Sequence, residues 1–184
     1  MSTIDAIEEA VTATMRGMVS GTGSALPMLA LVRNDMNLGT VLGPPMSSDP
    51  DMRNKQLAAL MTFVSMFGTT EMVYAADFWH KAYTPEELQN ETFVRPNENP
   101  ASSPRVIVMR FPEMFSTAYP YSVEDDGTVV WDEPKVTPSV PTVIRGLVYA
   151  LGEEPMSVEQ RLLTVHWLHE KWDALPFLTP EALT

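Results

Sequence analysis

Apolar residues recur at Ile4, Ile7, Val11, Met15 and Met18, the three- and four-residue spacing that lays one stripe along a helix. Ser2 and Asp5 stand three apart at its start, as in a capping box, so the pattern predicts a first helix over 3–18. Glycines at 17, 21 and 23 then interrupt it. The stretch Gly21-Thr22-Gly23-Ser24 invites comparison with a phosphate loop. It follows a helix and leads into an apolar run, the reverse of what anion binding at a helix N-terminus needs, so it reads as a linker.

Two short apolar runs, 28–33 and 38–42, have the length of strands, with Asn34-Asp35-Met36-Asn37 as a four-residue hairpin loop. Asp49 as N-cap and Pro50 at the first helical position open a second helix. Its predicted buried stripe is Leu57, Leu60, Met61, Val64 and Phe67, and Gly68 stops it. Strands are predicted over 71–79 and 105–111, separated by a breaker-rich stretch from Arg95 to Pro104 that reads as an exposed loop. A further hairpin over 119–123 and 128–131 is signalled by Asp126-Gly127 in its turn, where positive φ angles are required. Pro134, Pro138 and Pro141 mark an extended connector, followed by helices over 141–151 and 158–174. The second of these opens on Ser157 and Gln160 in capping-box positions, and 175–184 reads as a tail.

The expected fold is a single α+β domain over 1–184 with a short C-terminal tail. It has one antiparallel sheet of about five strands with helices packed against it, in the order α-β-β-α-β-β-β-α-α. A chain of 184 residues buries enough surface for a core without covalent staples. The hydrophobic share of 45% and charged share of 20% argue against disorder. Cysteine is absent, which excludes disulfides, thiolate catalysis, zinc ribbons and iron–sulfur clusters. The opening MSTIDAIEEA lacks an apolar signal core, and no apolar run is long enough to span a bilayer. A cytoplasmic location is expected, where the sequon Asn90-Glu91-Thr92 carries no meaning.

The formal charge of −12 repels phosphate backbones, so direct nucleic-acid binding is not expected. Solubility accounts for such a charge; mimicry of nucleic acid by clustered carboxylates is the sharper alternative.

Candidate chemistry concentrates on the last helix. Val158, Leu162, Val165 and Trp172 fall on one side, with His169 among them and His166 and Asp173 on the flank. Two histidines and a carboxylate on one stripe suit a metal or an oriented general base. His166 and Asp173 are about 10 Å apart in helix rise, so one ion would need a ligand from elsewhere, with His80 and Asp77 as candidates. The plainer reading is that His169 hydrogen-bonds to Asp173, its i,i+4 neighbour. Leu163 and Trp167 form a second apolar patch on the same helix, more than 100° from the first. A helix greasy on two sides is either sandwiched in its own protomer, here by the tail, or shared with a partner.

Other constellations are weaker. Asp77 on a strand needs a partner, which Arg105 or Arg110 would supply. Glu133-Pro134-Lys135 has the Glu-x-Lys spacing of metal-dependent nucleases, but its proline spoils the strand such sites use. No Gly-x-Ser-x-Gly, Walker or EF-hand pattern occurs. Thirteen methionines are read mainly as core filling.

The sequence thus favours a non-enzymatic, acidic, homodimeric interaction domain that binds another protein or itself, without cofactor, nucleic acid or membrane. Leu163 and Trp167 are its expected interface. Two alternatives stand beside it. One is a metal-binding domain or metal-dependent enzyme using His166, His169, Asp173 and His80. The other is an acidic decoy for a nucleic-acid-binding protein.

Overall fold

The capping box at Ser2 and Asp5 is present and opens α1 (Thr3–Thr22), whose stripe of Ile4, Ile7, Val11, Met15 and Val19 is buried. The helix outruns the expected end by four residues. Gly17 and Gly21 have open space around them and stay helical, and Gly23, at φ +79°, makes the left-handed cap. This computed structural model describes residues 2–47, 49–80, 103–142 and 144–183, without the side chains of Trp79 and His80. The sequon at Asn90 and the stretch 95–102 lie outside the described residues.

Strands β1 (Met28–Arg33) and β2 (Met36–Leu42) form the first hairpin. Its loop is two residues rather than four: Asn34 and Asp35 take φ angles of 50° and 66°, which these residue types tolerate and a tight hairpin turn needs. Asp49 caps α2 (Pro50–Met66) by accepting the Met52 N–H. The long strands β3 (Glu71–His80), β4 (Ser103–Phe111) and β5 (Phe115–Val123) follow, then the short β6 (Val129–Trp131) and β7 (Lys135–Thr137). Arg145–Ala150 is a 3-10 segment, where a full helix was expected over 141–151. The last helix, α3 (Val158–Trp172), leads into β8 (Leu175–Leu178) and a final 3-10 turn, Pro180–Leu183.

Among the described residues the sheet has eight strands, all antiparallel to their neighbours, in the order β6-β5-β4-β3-β1-β2-β8, with β7 also on β5. The sequence reading named six of these strands segment by segment, condensed to about five in the expected order, and missed two. Residues read as a proline connector supply β7, which continues the line of β6 along the β5 edge after a break at 132–134. Residues read as a tail supply β8, which pairs with β2 from Gly39↔Leu178 to Leu42↔Leu175.

Helices cover both faces. Met28, Ala30, Val32, Val73, Ala75, Val106 and Val108 pack under α1, while Leu29, Leu31, Met72, Tyr74, Met109 and Phe111 pack under α2, the first 3-10 segment and α3. Successive residues of β1 and β3 therefore serve opposite cores, which explains their unbroken apolar sequence. The larger side chains contribute about 2 kcal/mol each by leaving water. Arg110 pins the start of α1 to the sheet, reaching Asp5 at 2.6 Å, Glu8 at 3.6 Å and Glu113 at 3.1 Å. The Ser2 cap and Arg110 together hold the Asp5 carboxyl at about 2.

Several buried polar atoms are left over, those of Thr69 and Tyr74 among them. The Tyr74 hydroxyl, fully buried, has no hydrogen-bond partner among the described residues, an arrangement that costs about 1–3 kcal/mol.

Candidate functional site

Helix α3 starts where the chain is tied to the end of α2: the Met156 N–H bonds to the Met66 carbonyl, and Ser157 and Gln160 complete a capping box. Arg161 fixes which side turns inward. Its residue is 3% exposed, its guanidinium lies 5.9 Å from the Phe67 ring, and its Nη1 donates to the Ala182 carbonyl. Arg161, Val165, Leu168 and Trp172 thus form the inner side. Burial beside Arg33 lowers the Arg161 pKa from its ordinary value.

The rotation corrects the expected main stripe. Val165 and Trp172 pack on the core, but Val158 and Leu162, assigned to the same face, are 40% and 53% exposed. On the far side Leu163 is 66% exposed and Trp167 51%. Those two are i,i+4 neighbours, as are Val158 and Leu162, but the two short rows lie more than 100° apart around the helix, with Glu159, His166 and Glu170 between them. The C-terminal segment takes no part in covering them. It runs along β2 instead, and its Phe177 is itself 61% exposed on the α1 side of the sheet.

His166 and His169 have separate partners. His166 Nε2 lies 3.4 Å from Glu170 Oε1, both well exposed, a pair worth little in water. His169 Nδ1 donates to the Ala174 carbonyl at 3.0 Å rather than to Asp173. Asp173 terminates α3 at φ 48°, and that left-handed turn takes its side chain off the helical i,i+4 path. His80 ends β3, and its side chain lies outside the described residues. Among the described residues, no three histidine or carboxylate side chains are grouped to hold a metal ion.

Asp77 has partners the sequence did not suggest. Val106 and Val108 of β4 face α1, which puts Arg105 on the opposite face from Asp77, and Arg110 is engaged with α1. The carboxylate instead accepts the Tyr121 hydroxyl at 2.8 Å and the Ala25 N–H. Tyr121 leans on Trp131 at 5.1 Å, and the Arg16 guanidinium sits 4.8 Å from the Trp131 ring. Burial raises the Asp77 pKa against the pull of those two hydrogen bonds.

A raised carboxyl pKa means that the folded state holds its proton more tightly than the unfolded one. The stabilisation is therefore full below the unfolded-state pKa and lost as pH rises through the folded-state value. Asp77→Asn keeps an acceptor for Tyr121 and cannot ionise. Urea melts at about pH 4 and about pH 7 should show the variant losing less stability over that rise than the parent. An unchanged pH profile would mean that Asp77 is not the group responsible.

The exposed carboxylates are distributed over the molecule: Glu9 on α1, Glu124, Asp125 and Asp126 at the β5–β6 turn, and Glu153, Glu154 and Glu159 around the start of α3. No helix is long and apolar enough to cross a membrane among the described residues. No protein-family model matches the chain, and no curated protein or solved structure shows significant similarity to it.

Sequence reasoning missed three features. Tyr74 reads as an ordinary strand aromatic, and nothing local signals that its hydroxyl lacks a partner. Phe177 lies in a four-residue strand too short to carry a periodic signal. Arg161 was hidden because a charged residue in a helix is ordinarily placed outside.

Proposed function

We propose that this is a non-enzymatic interaction domain that binds protein through the outer face of α3, with a second copy of itself as the first partner. The observation that carries this reading is the exposure of the neighbouring pair Leu163 and Trp167, on a helix whose inner side is already filled. A large exposed apolar pair of this kind is a common feature of contact sites, and tryptophan is prominent in their energetic centres. The sequence supports the non-enzymatic part in that it shows no nucleophile–base pair and no cofactor loop. The scattered carboxylates and the separately engaged histidines give no comparable support to a nucleic-acid decoy or a metal site.

Oxidative footprinting at low and high micromolar concentration tests the face itself. Labelling of Leu162, Leu163 and Trp167 should fall as concentration rises, while labelling of Tyr149, 80% exposed off this helix, stays constant. Equal labelling of the α3 residues at both concentrations would remove self-association from the reading.

A further inference from the structure

Helix α1 packs over β1, β3 and β4 and leaves the same face of β2 and β8 open. The result is a groove with Ala10 and Thr14 of α1 as its wall and Met28, Thr40, Leu42 and Phe177 as its floor. Leu175, paired with Leu42 and itself exposed, continues the floor along β8. The groove holds about 250 Å³, the share of roughly eight waters. Two strands make its floor about 10 Å wide, which is one helix diameter.

Charge separates this side of α1 from the other. Asp5, Glu8, Glu9 and Arg16 are the helix's charged residues, and all line its far flank beside Tyr119. The crest and near flank present Ala6, Ala10, Thr14 and Gly17, small and exposed. Among the described residues, no charged side chain lines the groove.

The surface that matches it is α3 of a second copy. Glu159 and Glu170 border Leu163 and Trp167, so two α3 rows laid against each other would bring like charges together. The groove meets them with none. Position favours the same pairing. Helix α3 packs on the α2 side of the sheet and runs into β8, the end strand, while the groove flanks β8 on the α1 side. A two-fold axis parallel to β8 and just outside it exchanges the two faces, bringing each copy's α3 to the other's groove. Strand pairing along that edge is disfavoured, since Pro176 has no N–H.

We propose that Leu163 and Trp167 of each copy seat in the groove between α1 and β8 of the other, one contact made twice. This rests on the reading of α3 as a contact face and names what that face meets.

Ala10→Glu puts a charge into the groove at an exposed helical position. It should melt with the parent but self-associate at least about tenfold more weakly in sedimentation equilibrium. Thr12→Glu adds the same charge on the far flank and should assemble as the parent does. The Ala10→Glu chain keeps a working α3, and the chain carrying Leu163→Asp with Trp167→Asp keeps a working groove. Mixed, they restore one of the two contacts and should associate at least about tenfold more tightly than either alone. Ala10→Glu assembling like the parent, Thr12→Glu weakening assembly equally, or a mixture no tighter than its components would each overturn the groove and leave α3 facing something else. A parent that never self-associates would remove the α3 reading along with it.

Discussion

Gly39→Val is expected to cost about 2–5 kcal/mol and to detach β8 from the edge of the sheet. Gly39 has φ +110°, a backbone conformation that side chains rarely adopt, and a Cβ there would lie 2.3 Å from the Phe177 carbonyl oxygen and 2.7 Å from the Leu178 Cα. Both obstructions are backbone atoms of β8, so no rotamer change relieves them. The β1–β2 register also slips next to this position, between Leu31 and Val32, as expected of a bulge that needs glycine. Gly23→Ala is the control: it too imposes a positive φ, of 79°, but meets open space, so it should cost only about 1 kcal/mol. Thermal melts rank the two variants, and amide exchange along 175–178 reports whether the strand has come away. Equal melting temperatures for Gly39→Val and Gly23→Ala would show that β8 does not depend on the bare backbone at Gly39.

Gly39 also illustrates where sequence reading stopped. The hairpin of β1 and β2 was legible because its strands carry apolar runs and Asn34-Asp35 supplies a turn. Strand β8 was not, because Leu-Pro-Phe-Leu has no alternation of its own, and Pro176 argues against a strand except at an edge, where it is found. The same holds for β7. Three residues after Pro134 become a strand only because the β5 edge still has unpaired groups opposite 116–118. Caps at Ser2, Asp49 and Ser157 were readable since each acts within three residues of itself.

The candidate site was half legible for a related reason. Angular spacing placed Leu163 and Trp167 away from the main stripe, but the rotation of the helix depends on contacts distant in sequence. Arg161 on Phe67 and Ala182 turns Val158 and Leu162 outward, and no local pattern encodes that choice. His169 and Asp173 looked like a pair because ideal helix geometry was extended one residue beyond the helix's end.

Replacing Leu163 and Trp167 together by aspartate should weaken self-association by at least about a hundredfold, the scale expected when two large apolar contacts are exchanged for buried like charges. The same substitutions should leave the melting temperature of the dilute protein nearly unchanged, within about 0.5 kcal/mol, because both side chains are more than half exposed in the protomer. Loss of assembly without loss of stability separates a contact face from a core position. Salt adds a second signature. Two chains of charge −12 repel each other, so association through an apolar face should strengthen as ionic strength rises.

Molar mass by light scattering across the micromolar range, for the parent and the double aspartate variant, bears most directly on whether α3 offers its outer side to another copy. A parent that approaches twice the 20.5 kDa protomer mass while the variant stays at one is the predicted result. A parent that remains at the protomer mass throughout, in high salt as in low, would contradict it.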